Sequence, residues 1–137
     1  MMYKYQPKKP VRSFRDLEVY QVTLACSVIV AKDILPQLEK LKCPFGEGMA
    51  DTARGIPLAL ATAHSLRFGD HATGILLLER AMAGCNKMVV YLEHAKGIYG
   101  EKLDASLLDN LVARYEAVRS KIFRLEKAWQ KFTPPKR

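Results

Sequence analysis

The chain has 137 residues, a length that suits one domain and is short for two of ordinary size. Hydrophobic residues make up 49% and charged residues 26%, so the composition is that of a globular protein and not of a disordered one. Lys and Arg number 22 against 14 Asp and Glu, which gives a formal net charge of +8. This excess indicates an anionic partner, nucleic acid first and an acidic protein or lipid surface second.

Three classes of protein are disfavoured by the same sequence. The longest uncharged stretch, Val19 to Ala31, is too short to cross a bilayer as a helix, so no membrane partner is expected. The first residues carry Lys and Pro and lack the apolar segment of a secretory signal, which predicts a cytoplasmic protein. Cys26, Cys43 and Cys85 are odd in number and widely spaced, which predicts reduced core cysteines and neither disulfides nor a zinc site.

The positive charge is concentrated at the two ends of the chain. Residues 1–15 carry a net charge of +5, residues 16–110 carry −3 and residues 111–137 carry +6. Charged blocks of this kind are typical both of interaction arms and of solubilising tails. Because Pro7 and Pro10 disfavour an early helix, we expect a flexible basic arm at 1–12, a folded domain at 13–132 and a short basic tail at 133–137.

Apolar residues that recur at spacings of three and four predict four amphipathic helices in the folded domain. Ser13 caps the first, with Asp16 in the place usual for Glu or Gln in a capping box, and Pro36 should end or kink it near Leu35. The others are expected at about 47–67, 71–95 and 105–131, with a kink at Pro57 in the second. No segment shows sustained β alternation. The predicted fold is therefore all-α, an antiparallel up-down four-helix bundle.

The second and third predicted helices have more small and apolar residues than one bundle core needs. The second is rich in Ala and Gly, which permit close approach of backbones, and the third has a wide apolar sector. This surplus is explained either by tight packing within the bundle or by an interface between subunits. We favour the interface, because a wide apolar stripe can face two neighbours, and we expect a homo-oligomer.

The fourth predicted helix gives the clearest indication of function. At about 100° per residue, most of its basic residues gather opposite its apolar face, and few acids interrupt them. Such a row can neutralise phosphates along a nucleic-acid backbone, and the alternative is a solvated face that happens to be basic. The predicted nucleic-acid contacts on this helix are Arg114, Arg119, Lys121, Arg124, Lys127 and Lys131.

One edge of the third helix is also basic, since Arg80, Lys87 and His94 recur every seven residues. Either this edge extends the nucleic-acid surface, or it is an exposed flank whose charges pair with Glu79 and Glu93. Arg80 and Lys87 are kept as candidate nucleic-acid contacts.

No combination of residues predicts catalysis, a metal site or a cofactor. His64 and His71 stand on either side of a Gly-containing break and lack a second pair of ligands. Cys26 and Cys85 fall on apolar helix faces, where a nucleophilic cysteine would lack a base and an electropositive surrounding. The run Gly46 to Gly48 lacks the Lys-Ser/Thr ending of a phosphate-binding loop. We therefore expect a protein that is not an enzyme.

Several short motifs follow one another along the chain. They are Ser13 to Gln21, Ile34 to Pro36, Gly55 to Pro57, Ala81 to Gly84 and Ile122 to Trp129. In this order they resemble the motifs of a bacterial four-helix-bundle family. That family includes proteins encoded within rRNA intervening sequences and the accessory variability determinant proteins of diversity-generating retroelements.

The chain departs from the intervening-sequence pattern in the second and third helices. Ala50-Asp51 replaces an Arg pair, Ala59 and Thr62-Ala63 replace an Asn and a Glu-Gly, and Lys87 stands where a Glu is usual. Together with the basic ends, these departures favour the retroelement branch. Resemblance to that branch implies a pentameric ring with a basic surface, which binds nucleic acid and the retroelement's reverse transcriptase and has no activity of its own.

Two functions are weighed on this basis. The first is a non-enzymatic accessory protein that binds RNA or DNA and assists a reverse transcriptase. The second is a structural oligomer or protein adaptor of the intervening-sequence type that does not bind nucleic acid. Base-specific recognition is not expected, because nothing resembles a recognition helix with Asn or Gln set among the Arg.

Overall fold

The computed structural model describes residues 10–132, so most of the predicted arm and the whole predicted tail at 133–137 lie outside the described residues. Within this range the chain is almost entirely helical and forms no strand. It has four long helices, and this confirms the prediction of an all-α helical bundle. They are α1 (Glu18–Lys40), α2 (Gly46–Leu66), α3 (His71–Tyr99) and α4 (Ala105–Lys131).

Ser13 forms the predicted capping box, but it caps a short turn and not the first helix. Its hydroxyl accepts a hydrogen bond from the Arg15 N–H at 3.1 Å, and the Asp16 carboxylate accepts one from the Ser13 N–H at 3.1 Å. The capped element is a single 3₁₀ turn, Phe14–Asp16. Leu17 then adopts an extended conformation, and α1 begins at Glu18.

Pro36 does not end the first helix near Leu35, so that part of the prediction is wrong, and the alternative, a kink there, stays a prediction. The helix widens into a π-turn over Val30–Ile34, in which the Leu35 N–H donates to the Val30 carbonyl, and then continues to Lys40. A proline lacks a backbone donor and its ring crowds the preceding turn. The wider π-turn just before Pro36 gives the ring room, so the helix accommodates the residue that was expected to stop it.

Glycine ends the third helix later than predicted. We expected the helix to run to about 95 and to be ended by Gly97 and Gly100, whereas α3 continues through Gly97 to Tyr99 and ends at Gly100. Gly100 then takes a positive φ of 53°, a conformation that side chains disfavour, and turns the chain towards α4. The second helix has nearly the predicted bounds and passes Pro57 without interruption, and the kink at that residue stays a prediction.

The four helices surround one apolar core. α2 packs on α3, α3 packs on α4, and α1 lies against both α2 and α4. Between α3 and α4, Lys96 bonds to Asp109 at 2.8 Å while Glu79 lies beside Glu126, an order of contacts expected of helices that run in opposite directions. The up-down order of the whole bundle stays a prediction. The largest fully buried side chains include Ile34, Met49, Leu60, Leu78, Leu92, Leu111, Tyr115 and Ile122.

By length and composition alone, α1 is apolar enough to cross a membrane. The mean hydropathy of its most apolar window is 1.3, and 28% of that window is buried inside the bundle. The core helix of a folded domain passes the same test. We expected no membrane-spanning helix because the longest uncharged stretch has too few residues. The complete α1 is long and apolar enough, so its length and composition do not support that expectation.

Candidate nucleic-acid interface

α4 carries a row of basic side chains that point away from the core. Arg114, Arg124, Lys127 and Lys131 are exposed, and we call these four residues the open strip. In the part of the chain that the structure describes, no carboxylate forms an ion pair with any of them. The charge of the open strip is therefore available to an external anion.

Arg119 and Lys121 are not equivalent to the open strip, although the sequence analysis grouped all six residues. Lys121 is half-buried, and its ammonium group pairs with the Glu18 carboxylate at the start of α1. Arg119 is half-buried on another flank of α4, where it lies beside Asn86 and Val90 of α3. Within the described range, the structure therefore leaves four of the six predicted contacts exposed and without an ion pair.

The ring of Phe123 supports one cation of the open strip. The Lys127 ammonium group lies 5.1 Å from the centre of that ring, within the range of a cation–π interaction. Phe123 is itself 45% exposed. The contact orients Lys127 along the helix surface, and it leaves the positive charge accessible because an aromatic ring carries no net charge.

Arg80 and Lys87 lie on a different part of the molecule. They border a groove of about 550 Å³ between α2 and α3, with small residues such as Ala59 and Gly84 on its floor. A Cβ atom on Gly84 would come within 2.7 Å of Ile56 Cγ1, so glycine permits the close approach of the two helices here. Within the described range neither cation pairs with Glu79 or Glu93, and the groove lies between α2 and α3, away from the α3–α4 contact.

A second candidate site, which the sequence analysis missed, lies at one end of the bundle. Arg67, Phe68 and His71 near the α2–α3 link and Trp129 and Phe132 near the end of α4 line a pocket of about 370 Å³, which we call the end pocket. Two of its aromatic rings are largely in solvent, since Phe68 is 76% exposed and Phe132 is 79% exposed. The Arg67 guanidinium lies 4.3 Å from the centre of the Phe68 ring. No sequence signal joins the two segments, which lie far apart in the chain.

His64 lies next to the end pocket and is neutral. Its ring is 6.5 Å from that of Trp129, and Arg67 Nη1 donates to its Nδ1 at 3.1 Å. A guanidinium group can only donate, so the ring proton is on Nε2, which is buried without a partner in the described structure. Burial first and the charge of Arg67 second hold the pKa of His64 below its usual value, against a smaller opposite effect of Asp16.

Two of the cysteines lie in the core, as predicted, where they are unreactive. Cys26 and Cys85 are fully buried, and burial raises the pKa of the Cys26 thiol and raises the pKa of Cys85 to about 12. Burial, and after it the neighbouring thiols of Cys26 and Cys85, raises the pKa of Tyr115, whose hydroxyl lacks a hydrogen-bond partner among the described residues. Within residues 10–132, no three His, Cys, Asp or Glu side chains lie close enough together to hold a metal ion.

Comparison with known proteins gives no relative from which a function can be transferred. No protein-family model, curated protein or solved structure matches this chain. The resemblance to the bacterial four-helix-bundle family therefore depends on the short motifs alone.

Proposed function

We propose that this protein is a non-enzymatic accessory protein that binds RNA or DNA through the phosphate backbone. The open strip carries the proposal, because its four exposed cations have no acidic partner in the described structure. Arg114 and Lys131 are separated by 17 residues of one helix, which is about 25 Å at a rise of about 1.5 Å per residue. A strip of that length can follow several successive phosphates of one strand.

The chemistry of the open strip favours affinity without base recognition. Lys and Arg side chains that contact phosphates release condensed counterions, so binding should weaken steeply as salt is added. Phosphate contacts set position on the nucleic acid but do not read its sequence. The chain's net charge of +8 adds a general attraction to the same ligand.

We further propose that the protein is a homo-oligomer, and the family resemblance suggests a ring of five protomers that meets a reverse transcriptase. Large apolar side chains on three helices support association, since Val28 is 46% exposed, Leu58 is 68% exposed and Val90 is 56% exposed. Exposed apolar side chains of this size can be covered by another subunit. In an oligomer, several weak open strips would act together on one strand, which raises the affinity through avidity.

The proposal is tested by removing the charge of the open strip while keeping its helix. In the test variant Arg114, Arg124, Lys127 and Lys131 are all replaced by Gln, which has a similar helix propensity. A control variant loses the same charge elsewhere on the exposed surface. Its replaced residues are Lys32, Lys40, Lys42 and Lys102, each exposed, without an ion pair in the described structure and changed to Gln.

Fluorescence anisotropy with a labelled oligonucleotide measures affinity over a range of salt concentrations. The test variant should bind more weakly, and its plot of log affinity against log salt should become shallower by about 0.7 to 0.9 per lost phosphate contact. The control variant should keep most of the wild-type slope. Circular dichroism and light scattering on the same samples test whether the two variants keep the helicity and oligomer size of the wild type. Equal slopes for the test variant and the wild type would refute the proposal.

The groove between α2 and α3 favours the alternative function of a protein adaptor. Its floor is apolar and built of small residues, and Arg80 and Lys87 stand at its border, which suits an apolar helix with acidic flanks. An intact wild-type protein that binds neither RNA nor DNA at low salt would favour this alternative over nucleic-acid binding.

A further inference from the structure

We infer that the end pocket binds an unpaired base by stacking, so that the preferred ligand of this protein is a single strand. The inference depends on the proposed function, because it assumes that the open strip holds a nucleic-acid backbone. It goes further by naming the form of the nucleic acid and the side chains that recognise it. Those side chains are Phe68, Trp129 and Phe132, with Arg67 and His71 beside them.

The lining of the end pocket has the composition of a base-stacking site. Three aromatic rings meet there, and Phe68 and Phe132 are each more than three-quarters exposed. Every base has a flat π face, and stacking on an aromatic side chain contributes about 1–3 kcal/mol per base irrespective of sequence. Among the described residues no carboxylate lines the pocket, and Arg67 supplies a planar cation that suits an anionic ligand.

The open strip and the end pocket approach each other at the C-terminal end of α4. Lys127 and Lys131 lie two residues before and two residues after Trp129, and Phe132 follows Lys131 directly. One helical turn separates the two lysines, about 6 Å at a rise of about 1.5 Å per residue. At about 100° per residue, both lysines lie on the side of α4 away from Trp129, so a strand that follows the strip reaches the aromatic rings by passing over the end of the helix, where Phe132 lies. A duplex cannot use them, because its bases are already paired and stacked.

The charge at the end pocket argues against a second copy of the chain as the occupant. Two identical patches facing each other across a twofold axis would bring two copies of Arg67 into the same interface. Like charges at the centre of an interface oppose association. A nucleotide brings the opposite charge together with a flat aromatic base, so it matches both features of the pocket.

Trp129 is the chain's single tryptophan and reports directly on its own pocket. We would titrate wild-type protein with a single-stranded oligonucleotide, its duplex and a strand of equal length made of abasic nucleotides. The single strand should quench the tryptophan fluorescence. The duplex and the abasic strand should bind through their phosphates with little quenching. Equal quenching by the abasic strand would overturn the inference, because that strand has no bases to stack.

A double variant with Phe68→Leu and Phe132→Leu removes two rings while keeping apolar side chains at exposed positions. Its affinity for the single strand should fall between about fivefold and hundredfold, the range expected when stacking on one base is lost. Its affinity for the duplex should stay within about twofold of wild type. Phe123→Leu is the matched control, because Phe123 is an exposed aromatic on α4 outside the end pocket, and it should leave the preference for single strands unchanged.

The remaining outcomes separate this inference from the proposed function. If single strand and duplex bind equally to wild type and to the double variant, the stacking site is refuted and phosphate binding stands. If wild type binds no nucleic acid, both proposals fail together. If light scattering shows that the double variant loses its oligomeric state, the end pocket is a subunit interface, and the stacking site is refuted.

Discussion

The carboxyl group of Glu126 on α4 lies beside that of Glu79 on α3, so two carboxyl groups are neighbours on the flank of the core. Glu126 is only 6% exposed, and neither residue forms an ion pair within the described part of the chain. Burial first and the neighbouring Glu79 second raise the pKa of Glu126, against a smaller opposite effect of Lys127. A proton shared at this site allows a hydrogen bond between the two groups and avoids the repulsion of two charges.

Replacing Glu126 by Gln should stabilise the protein at neutral pH. The folded state binds this proton more tightly than the unfolded chain does, so wild-type stability should fall as the pH rises from the ordinary value of 4.5 through the raised pKa. Gln keeps a donor for Glu79 and has no proton to lose, so this decline should disappear. Urea unfolding across that pH range measures the effect. Glu116→Gln, exposed on the same helix, should leave the decline in place. A variant less stable than wild type at neutral pH would contradict the shared proton.

Two glycines should respond in opposite ways to replacement by Ala. At Gly84 the new Cβ would lie 2.7 Å from Ile56 Cγ1, so the close contact of α2 and α3 must open, at a cost of about 1–3 kcal/mol. At Gly55, which is exposed in α2, a Cβ meets nothing within 4 Å, so the gain in helix propensity should stabilise by about 0.5–1 kcal/mol. Thermal unfolding of the two variants measures both effects. Equal destabilisation would mean that Gly55 is also covered, for example by another subunit.

Only Cys43 should react quickly with a thiol reagent in the folded protein. The thiolate is the reactive form. Burial raises the pKa of both Cys26 and Cys85 and also shields the two thiols from solvent. Cys43 is half-buried in the link between α1 and α2. Titration with a chromogenic disulfide should show one fast thiol in native protein and three in denaturant. Cys43→Ser should remove the fast phase. A fast phase that persists in this variant would mean that the reagent reaches a core cysteine when the bundle opens.

The sequence predicted the parts of this molecule that depend on one helix at a time. The apolar face of α4 and its basic side follow from the same helical period, so the row of basic residues on α4 was predicted together with the fold. The pairing of Lys121 with Glu18 could not be found in this way, because the two residues are 103 positions apart and meet only when α1 and α4 pack. The end pocket was missed for the same reason, since Phe68 and Trp129 come together only at the end of the bundle.

Pro36 shows a different limit of prediction from the sequence. A proline within an apolar period indicates a break, because the common alternatives are an end or a kink. In this structure the helix continues through a π-turn at Val30–Ile34, which keeps Ile34 and Leu38 in the core on either side of the proline. Whether a helix stops or widens at a proline is thus decided by the packing of the residues beyond it.

The ion pair of Glu18 predicts unequal contributions from two neighbouring cations of α4. Arg124→Gln should make the salt dependence of nucleic-acid binding shallower by up to about one unit, because an unpaired cation is lost from the open strip. Lys121→Gln should change the slope less, since Glu18 already neutralises that charge. Glu18→Gln should act in the opposite sense, by freeing Lys121 to reach a phosphate, and should therefore tighten binding and steepen the slope.

These three variants should differ little in stability, because an exposed ion pair contributes only about 0–1 kcal/mol. Thermal unfolding in the same buffers establishes this, so that a change in slope can be assigned to the charge and not to loss of the fold. Anisotropy titrations with one oligonucleotide at several salt concentrations then give the three slopes. If Lys121→Gln and Arg124→Gln change the slope equally and Glu18→Gln has no effect, the pair with Glu18 opens on binding, and Lys121 belongs to the phosphate-binding surface that the sequence alone assigned to it.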